Sequence, residues 1–155
     1  MAETRAQLSP EQVLALVPQR EPFRFIDEIL ELDDEHIVAA YTFREDADFY
    51  RGHFPGNPIT PGVILAEAMA QAGVVALGIY LATRELGREE VEKLITVFTE
   101  ANVEFSGAVR PGERVVTTGR KLFFRRRKLK AEVEMRLGDG SLVCSGTLAG
   151  MGVPR

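Results

Sequence analysis

The amino-acid sequence predicts an α+β domain in which an antiparallel sheet curls around one central helix. The twenty residues from Val63 to Ala82 are almost continuously apolar, with polar side chains at Glu67 and Gln71 and a hydroxyl group at Tyr80. Strand-like segments with short turns follow this run, and short turns join antiparallel neighbours. A helix that is apolar on every side must be enclosed, and the sheet is the only predicted element large enough to enclose it.

A short helix and two strands are predicted ahead of the central helix. In LSPEQVLALVP, Ser9 is the expected N-cap, Pro10 the first helical residue and Pro18 the stop. The segments FRFIDEILEL and EHIVAAYTF flank the turn DDE and are rich in residue types that favour strands. The Gly, Pro and Asn content of REDADFYRGHFPGNPIT, residues 44–60, predicts a loop.

The central helix is predicted to begin at Pro61-Gly62 and to end near Gly87, with about four strands after it. The turn GDGS between alternating segments is a hairpin signal. Gly73 and Gly78 each weaken a helix by roughly 1 kcal/mol relative to Ala, which predicts close backbone packing across a dimer. A second copy of the chain is also expected to close the open edge of the sheet.

Length and composition narrow the class of protein. The 155 residues suffice for one domain, predicted to span 1–155, and a net charge of −4 with a pI near 5.3 disfavours general nucleic-acid binding. The single cysteine, Cys144, cannot form an intrachain disulfide, which fits a reducing compartment. No signal-peptide pattern is present at the N-terminus, so a cytoplasmic protein is expected. The apolar run holds a carboxylate and many Ala and Gly residues, which favours a buried helix over a membrane span.

Glu67 and His53 are the candidate catalytic residues. Burial of Glu67 in an apolar helix disfavours the charged form and raises the pKa, as a general acid requires, unless an opposite charge such as Arg51 pairs with it. Gln71 lies four residues further on the same helix face and could orient the carboxyl group. His53 can accept a proton in the physiological range, although a loop histidine without a chemical role is the alternative.

Gly62 is the third candidate, at the start of the central helix. Its N–H group has no partner within the helix and lies at the positive end of the helix dipole. Such a donor stabilises negative charge that develops on an oxygen atom. A base, an acid and an oxyanion donor together suit proton abstraction beside a carbonyl group, followed by loss of a leaving group.

The segment GHFPGNPITPGVILAEAMAQ, residues 52–71, resembles the signature of the 3-hydroxyacyl-[acyl-carrier-protein] dehydratases of type II fatty-acid synthesis. The similarity extends from EQVLALVPQREPF through VRPGE to LVCSGTLAG. It implies a hot-dog fold, in which a strongly bent antiparallel sheet wraps one long helix. The resemblance also implies a homodimer, or a trimer of dimers, acting on substrates attached to acyl carrier protein.

The resemblance assigns a role to each candidate residue. His53 would be the catalytic base, Glu67 the acid contributed by the partner subunit, Gly62 the donor to the thioester carbonyl and Gln71 the residue that orients the acid. Glutamate rather than aspartate at position 67 implies the branch that dehydrates without isomerising the double bond. The reaction implied, from a 3-hydroxyacyl to a trans-2-enoyl thioester, needs neither a metal nor an organic cofactor.

The chain departs from the family pattern after the central helix. The stretch FTEANVEFSGAV carries Thr99 where the family usually has glycine, Ala101 where it has an acid and Ser106 where it has a basic residue. These differences leave the acyl length open and fit polyene or polyketide-like assembly as readily as housekeeping lipid synthesis.

Seven basic residues and no acidic residue lie between Arg120 and Lys130. Solvated charge on an exposed strand pair explains such a run, but it also suits a docking face for an acidic carrier protein. The docking residues expected there are Arg125, Arg126, Arg127 and Lys128. Nucleic acid is not favoured, because no aromatic platform accompanies the cluster.

Two other functions stay open at this point. A hot-dog acyl thioesterase would direct a carboxylate at water, and would release a thiol from its substrate. A subunit active only in a hetero-oligomer with a homologous dehydratase would be inactive when purified alone.

Overall fold

The computed structural model describes residues 7–155, and residues 1–6 of the predicted domain lie outside this range. Three helices and six strands form the chain, with a short 3-10 turn at Asp48–Arg51. The helices are α1 (Pro10–Leu16), α2 (Gly62–Leu86) and α3 (Arg88–Glu92). The strands are β1 (Glu28–Leu32), β2 (His36–Thr42), β3 (Leu94–Phe105), β4 (Arg114–Arg125), β5 (Lys128–Leu137) and β6 (Leu142–Pro154).

The six strands form one antiparallel sheet in the order β1-β2-β4-β5-β6-β3. This confirms the predicted fold class, with the hairpins of the chain's second half as neighbours in the sheet. Strand β1 begins at Glu28, so the first part of the predicted strand FRFIDEILEL precedes the sheet. The short helix α3 lies between Gly87 and β3 and was not predicted.

Helix α2 forms the core against the concave face of the sheet. Its most apolar 18-residue window is 67% buried within the chain, as expected of an enclosed core helix. Residues Gln71–Ala76 form a π-helical turn in its middle, with the Leu77 N–H group donating to the Ala72 carbonyl five residues back. Such turns are frequent at functional sites, and no sequence signal indicated this one.

Gly73 lets α2 approach the sheet of its own chain. A Cβ atom at Gly73 would lie 2.6 Å from a methyl group of Val133, and a Cβ atom at Gly119 would lie 2.8 Å from the Cα of Gly73. The close packing predicted across a dimer is therefore wrong for Gly73, because its close contacts are within the chain. Gly78 differs, since the nearest atom to its added Cβ is Leu129 Cδ2 at 3.8 Å.

Strand β3 is an edge strand that pairs with β6 on one side. It is 12 residues long and interrupted by a bulge between Phe98 and Glu100 that leaves Thr99 out of register. Val97, Phe98 and Phe105 are 42%, 50% and 51% exposed. An exposed edge strand of this length is a ready template for pairing with another chain.

Candidate active site

Gln71 is fully buried and makes three hydrogen bonds. Its Oε1 atom accepts from the Phe25 N–H group at 2.7 Å, and its Nε2 atom donates to the Phe23 carbonyl at 2.9 Å and to Glu67 Oε1 at 3.0 Å. Because Phe25 offers a donor and Phe23 an acceptor, the amide can take only this orientation. Gln71 therefore presents an N–H group to Glu67.

Glu67 lies one helical turn before Gln71 and is partly buried. Burial raises the pKa of its carboxyl group, and the hydrogen bond from Gln71 opposes this rise in part. The expected alternative of an ion pair with Arg51 is wrong, because Arg51 pairs with Asp48 at 3.1 Å. The resulting carboxyl group holds its proton to a higher pH than an exposed one, which suits a general acid.

The Glu67 side chain borders a cavity between α2 and the end of the sheet where β3 and β6 meet. Val97 and Phe98 of the exposed edge strand line the same cavity. Gln19, just after α1, lines it too, and its side-chain oxygen is buried without a hydrogen-bond partner among the described residues. Gln19 was not predicted, since only the fold brings the end of α1 beside Glu67.

Gly62 is the first residue of α2, as predicted. Within residues 7–155 its N–H group donates no hydrogen bond, whereas the Ile64 and Leu65 N–H groups donate to the Pro61 carbonyl. The ring of Phe105, at the end of β3, would lie 3.3 Å from a Cβ atom placed on Gly62. A free backbone donor thus lies under an aromatic ring on the exposed edge strand.

His53 lies in the loop ahead of α2 and is partly exposed. Its Nδ1 atom is 2.9 Å from the Ile59 carbonyl, so a proton on Nδ1 leaves Nε2 free to accept one. Its ring stacks on that of Phe54 at 4.1 Å between centroids, across a cis peptide bond. The loop is anchored by the Thr60 N–H group, which donates to the carbonyl of Val109, just beyond β3.

His53 lies in the loop ahead of α2, and Glu67 lies in the second turn of α2. No hydrogen bond or ion pair joins them in the part of the chain that the structure describes. Glu67 borders Val97 and Phe98 in the first half of β3, while Gly62 lies against Phe105 at its end. The predicted acid and oxyanion donor therefore lie beside two different parts of the same edge strand.

The predicted docking residues form the turn between β4 and β5. Arg126 and Arg127 occupy its centre with φ angles of 51° and 62°, and Arg125 stacks on the ring of Phe123. Other members of the basic run are paired, Lys121 with Glu35 and Lys130 with Glu100. In residues 7–155 no ion pair involves Arg125, Arg126, Arg127 or Lys128.

Residues 7–155 contain neither a cluster of metal-ligating side chains nor a reactive thiol. Among residues 7–155, no group of three or more His, Cys, Asp or Glu side chains is placed to hold a metal ion. Cys144 is buried, and burial raises the pKa of its thiol to about 11. A thiol with such a pKa is largely protonated at neutral pH and is a poor nucleophile.

Comparison with known proteins identifies the family. The model of the FabA-like domain matches residues 17–149, which is most of the chain. The chain belongs to the FabA-like domain family. A relative from Streptococcus pyogenes serotype M1, named 3-hydroxyacyl-[acyl-carrier-protein] dehydratase FabZ, is 39% identical over 140 residues. That match covers 88% of this chain and 93% of the relative.

Solved structures agree with this FabA-like fold. A chain of the dehydratase heterocomplex ApeI:P from Xenorhabdus doucetiae superposes with a TM-score of 0.73 at 18% identity, covering 96% of this chain and 93% of the other. The thioesterase HI1161 from Haemophilus influenzae superposes with a TM-score of 0.66 at 17% identity, covering 97% and 94%. At these identities the likeness concerns the fold alone.

Proposed function

We propose that this chain dehydrates 3-hydroxyacyl thioesters carried on acyl carrier protein, giving trans-2-enoyl thioesters in fatty-acid or related polyene and polyketide-like assembly. The observation that carries the proposal is the partly buried Glu67 carboxyl group, whose pKa is raised and whose position Gln71 fixes. The relative from Streptococcus pyogenes, matched over 93% of its length, supports the same reaction.

The proposed reaction is a proton transfer followed by loss of water. His53 removes a proton from C2, and the electron pair moves into an enolate whose oxygen is stabilised by the Gly62 N–H group. Collapse of the enolate forms the C2–C3 double bond and breaks the C3–O bond, while Glu67 protonates the departing hydroxyl group. The products are the enoyl thioester and one water molecule, with no change in oxidation state overall.

A homodimer formed through β3 would complete this site. A two-fold axis near the middle of β3 pairs the strand antiparallel with its own copy. The Val97 end of one strand then lies beside the Phe105 end of the other. Since Glu67 borders the first end and Gly62 the second, the acid of one subunit would meet the donor of its partner. His53 would act from the same subunit as Gly62, because its loop leads directly into α2.

Mixed dimers test the shared site. His53→Ala and Glu67→Gln should each abolish activity alone, but a dimer with one copy of each contains one site with both groups intact. Random exchange of subunits makes about half of the dimers mixed, and one of the two sites in each mixed dimer is intact. The mixture should therefore recover about a quarter of the wild-type activity. If each site were built within one chain, the mixture would stay inactive, and that result would contradict the shared site.

We also propose the partners and setting of the enzyme. The carrier protein would dock on Arg125, Arg126, Arg127 and Lys128, with acidic groups on the carrier facing this unpaired charge. The dimer could assemble further into a trimer of dimers, or pair with a homologous dehydratase. A cytoplasmic setting fits the buried α2 and the single buried cysteine.

The direct test is loss of water from a synthetic 3-hydroxyacyl thioester, followed by enoyl absorbance. Wild type should form the enoyl product, and His53→Ala and Glu67→Gln should each lower the rate by 10²-fold or more. Thiol release without enoyl product would support the thioesterase instead. Lack of activity in the pure chain, with activity after a homologous subunit is added, would support the hetero-oligomer.

A further inference from the structure

Gln19 carries a buried hydrogen-bond acceptor without a partner. Its Oε1 atom is the only buried side-chain nitrogen or oxygen among residues 7–155 that makes no hydrogen bond. Buried polar groups are almost always paired, because an unpaired one costs about 1–3 kcal/mol. The Gln19 oxygen is therefore available to a donor that a ligand brings.

The backbone at Gln19 is held in place by Arg24. The Arg24 Nε group donates to the Gln19 carbonyl at 3.0 Å, and its Nη2 group donates to two carbonyl groups near the end of α1 at 2.9 Å each. These bonds tie α1 to the segment whose backbone also holds the Gln71 amide. The same segment before β1 thus positions Gln19 and, through Gln71, the carboxyl group of Glu67.

Gln19 and Glu67 line the same small cavity. Its volume of about 30 Å³ leaves room for one or two water molecules. Among the described residues that line it, Thr96 is the only other one with a polar side chain. A hydroxyl group that enters this cavity would meet a carboxyl group and an amide in otherwise largely apolar surroundings.

We propose that Gln19 Oε1 accepts a hydrogen bond from the 3-hydroxyl group of the substrate and holds the water molecule that leaves. This inference rests on the proposed dehydratase function, because it places the C3–O bond beside Glu67. The hydroxyl oxygen takes the proton of Glu67, while the hydroxyl hydrogen needs an acceptor, which Gln19 supplies. When the C3–O bond breaks, its electron pair stays on the oxygen, and both hydrogens leave with it as water.

This hydrogen bond should assist cleavage of the C3–O bond more than formation of the enolate. The hydroxyl hydrogen becomes a stronger donor as the oxygen is protonated, so the acceptor stabilises the transition state for cleavage more than the bound substrate. Removal of the C2 proton by His53 comes before this step and does not involve Gln19. Without the acceptor, the enolate should return to substrate more often.

The test compares Gln19→Met with wild type on a 3-hydroxyacyl thioester in deuterated water, before product accumulates. Enoyl absorbance measures dehydration, and mass spectrometry of the recovered substrate measures deuterium uptake at C2, which reports return of the enolate. Gln19→Met keeps the length of the side chain and removes the amide acceptor. It should slow dehydration by about 10-fold, as expected for one lost hydrogen bond, without slowing deuterium uptake.

Thr96→Val is the matched control, because it removes the other neutral polar group of the cavity. It should leave the ratio of deuterium uptake to dehydration at the wild-type value, whereas Gln19→Met should raise this ratio by about 10-fold. An equal rise in Thr96→Val would overturn the assignment to Gln19.

The remaining outcomes separate this inference from the proposed function. If Gln19→Met lowers dehydration and deuterium uptake equally, or lowers neither, Gln19 does not assist the departure of water, and the dehydratase function stands. Equal losses together with a lower Tm would assign Gln19 a structural role instead. Failure of wild type to form any enoyl product would overturn the dehydratase function and this inference with it.

Discussion

Gln71 donates a hydrogen bond to Glu67 at 3.0 Å while the backbone of Phe23 and Phe25 fixes its amide from the other side. The segment before β1 thus holds the Gln71 amide, which in turn orients the carboxyl group of Glu67. Gln71 touches Glu67 and not the reacting atoms proposed for the substrate, so it is a positioning residue. The same side chain satisfies buried backbone groups of Phe23 and Phe25 and orients the proposed acid, so its replacement should affect both stability and activity.

Replacing Gln71 with leucine should impair both stability and activity. The Phe25 N–H group and the Phe23 carbonyl would lose buried partners, which should cost about 2–4 kcal/mol of unfolding free energy in a denaturant titration. Loss of the donor should also raise the pKa of Glu67 further, so the alkaline limb of kcat/KM should move to higher pH. Thr83→Val in the same helix is the control, and it should leave the pH profile unchanged. If the alkaline limb of kcat/KM lies at the same pH in Gln71→Leu as in wild type, Gln71 has only a structural role.

Glu67→Gln should abolish activity and change how stability depends on pH. Burial raises the pKa of Glu67 in the folded chain above its value in the unfolded chain. At pH values between these two pKa values, the folded chain holds a proton that the unfolded chain has lost. Wild-type stability therefore falls as the pH rises through this range. The stabilising contribution is fully present below the unfolded pKa and is lost above the folded one. The difference in Tm, Glu67→Gln minus wild type, should therefore be more positive at pH 7 than at pH 4. Glu31→Gln, at an exposed carboxyl group of β1, is the control. An equal Tm difference at both pH values would argue against the raised pKa.

Gly73→Ala should destabilise the fold although it improves helix propensity. The added methyl group would collide with Val133 at 2.6 Å, and overpacking of this kind costs about 1–3 kcal/mol. Gly78→Ala meets no close atom and should stabilise the chain by up to about 1 kcal/mol. Chemical denaturation of both variants measures the contrast. Equal effects of the two substitutions would show that α2 can shift away from the sheet.

Arg126→Glu should weaken turnover of carrier-bound substrate and spare a pantetheine thioester of the same acyl group. Reversing one charge of the docking turn should raise KM for the carrier-bound substrate by about 10-fold at low salt, with a smaller effect at high salt. Arg136→Glu, near the opposite end of β5, is the matched control. Equal losses on both substrates would contradict docking at the β4–β5 turn.

The sequence predicted the fold well where local patterns agree with the tertiary structure. The N-cap at Ser9, the start of α2 at Gly62 and the hairpin at GDGS are local features, and each lies where its residue types predict. The π-helical turn, the short helix α3 and the role of Gly73 were missed. All three depend on what packs against the helix, which no window of sequence contains.

For the candidate site, the sequence by itself determined the residue types: an acid at 67, a histidine at 53, a glycine at 62 and an amide at 71. Spacing along one helix was sufficient to pair Glu67 with Gln71, because residues four apart share a face. Only the tertiary structure decided what fixes the Gln71 amide, which cavity Glu67 borders, and that Phe105 covers Gly62. Those contacts join segments far apart in the chain, and their geometry follows from the order of strands in the sheet rather than from any local pattern.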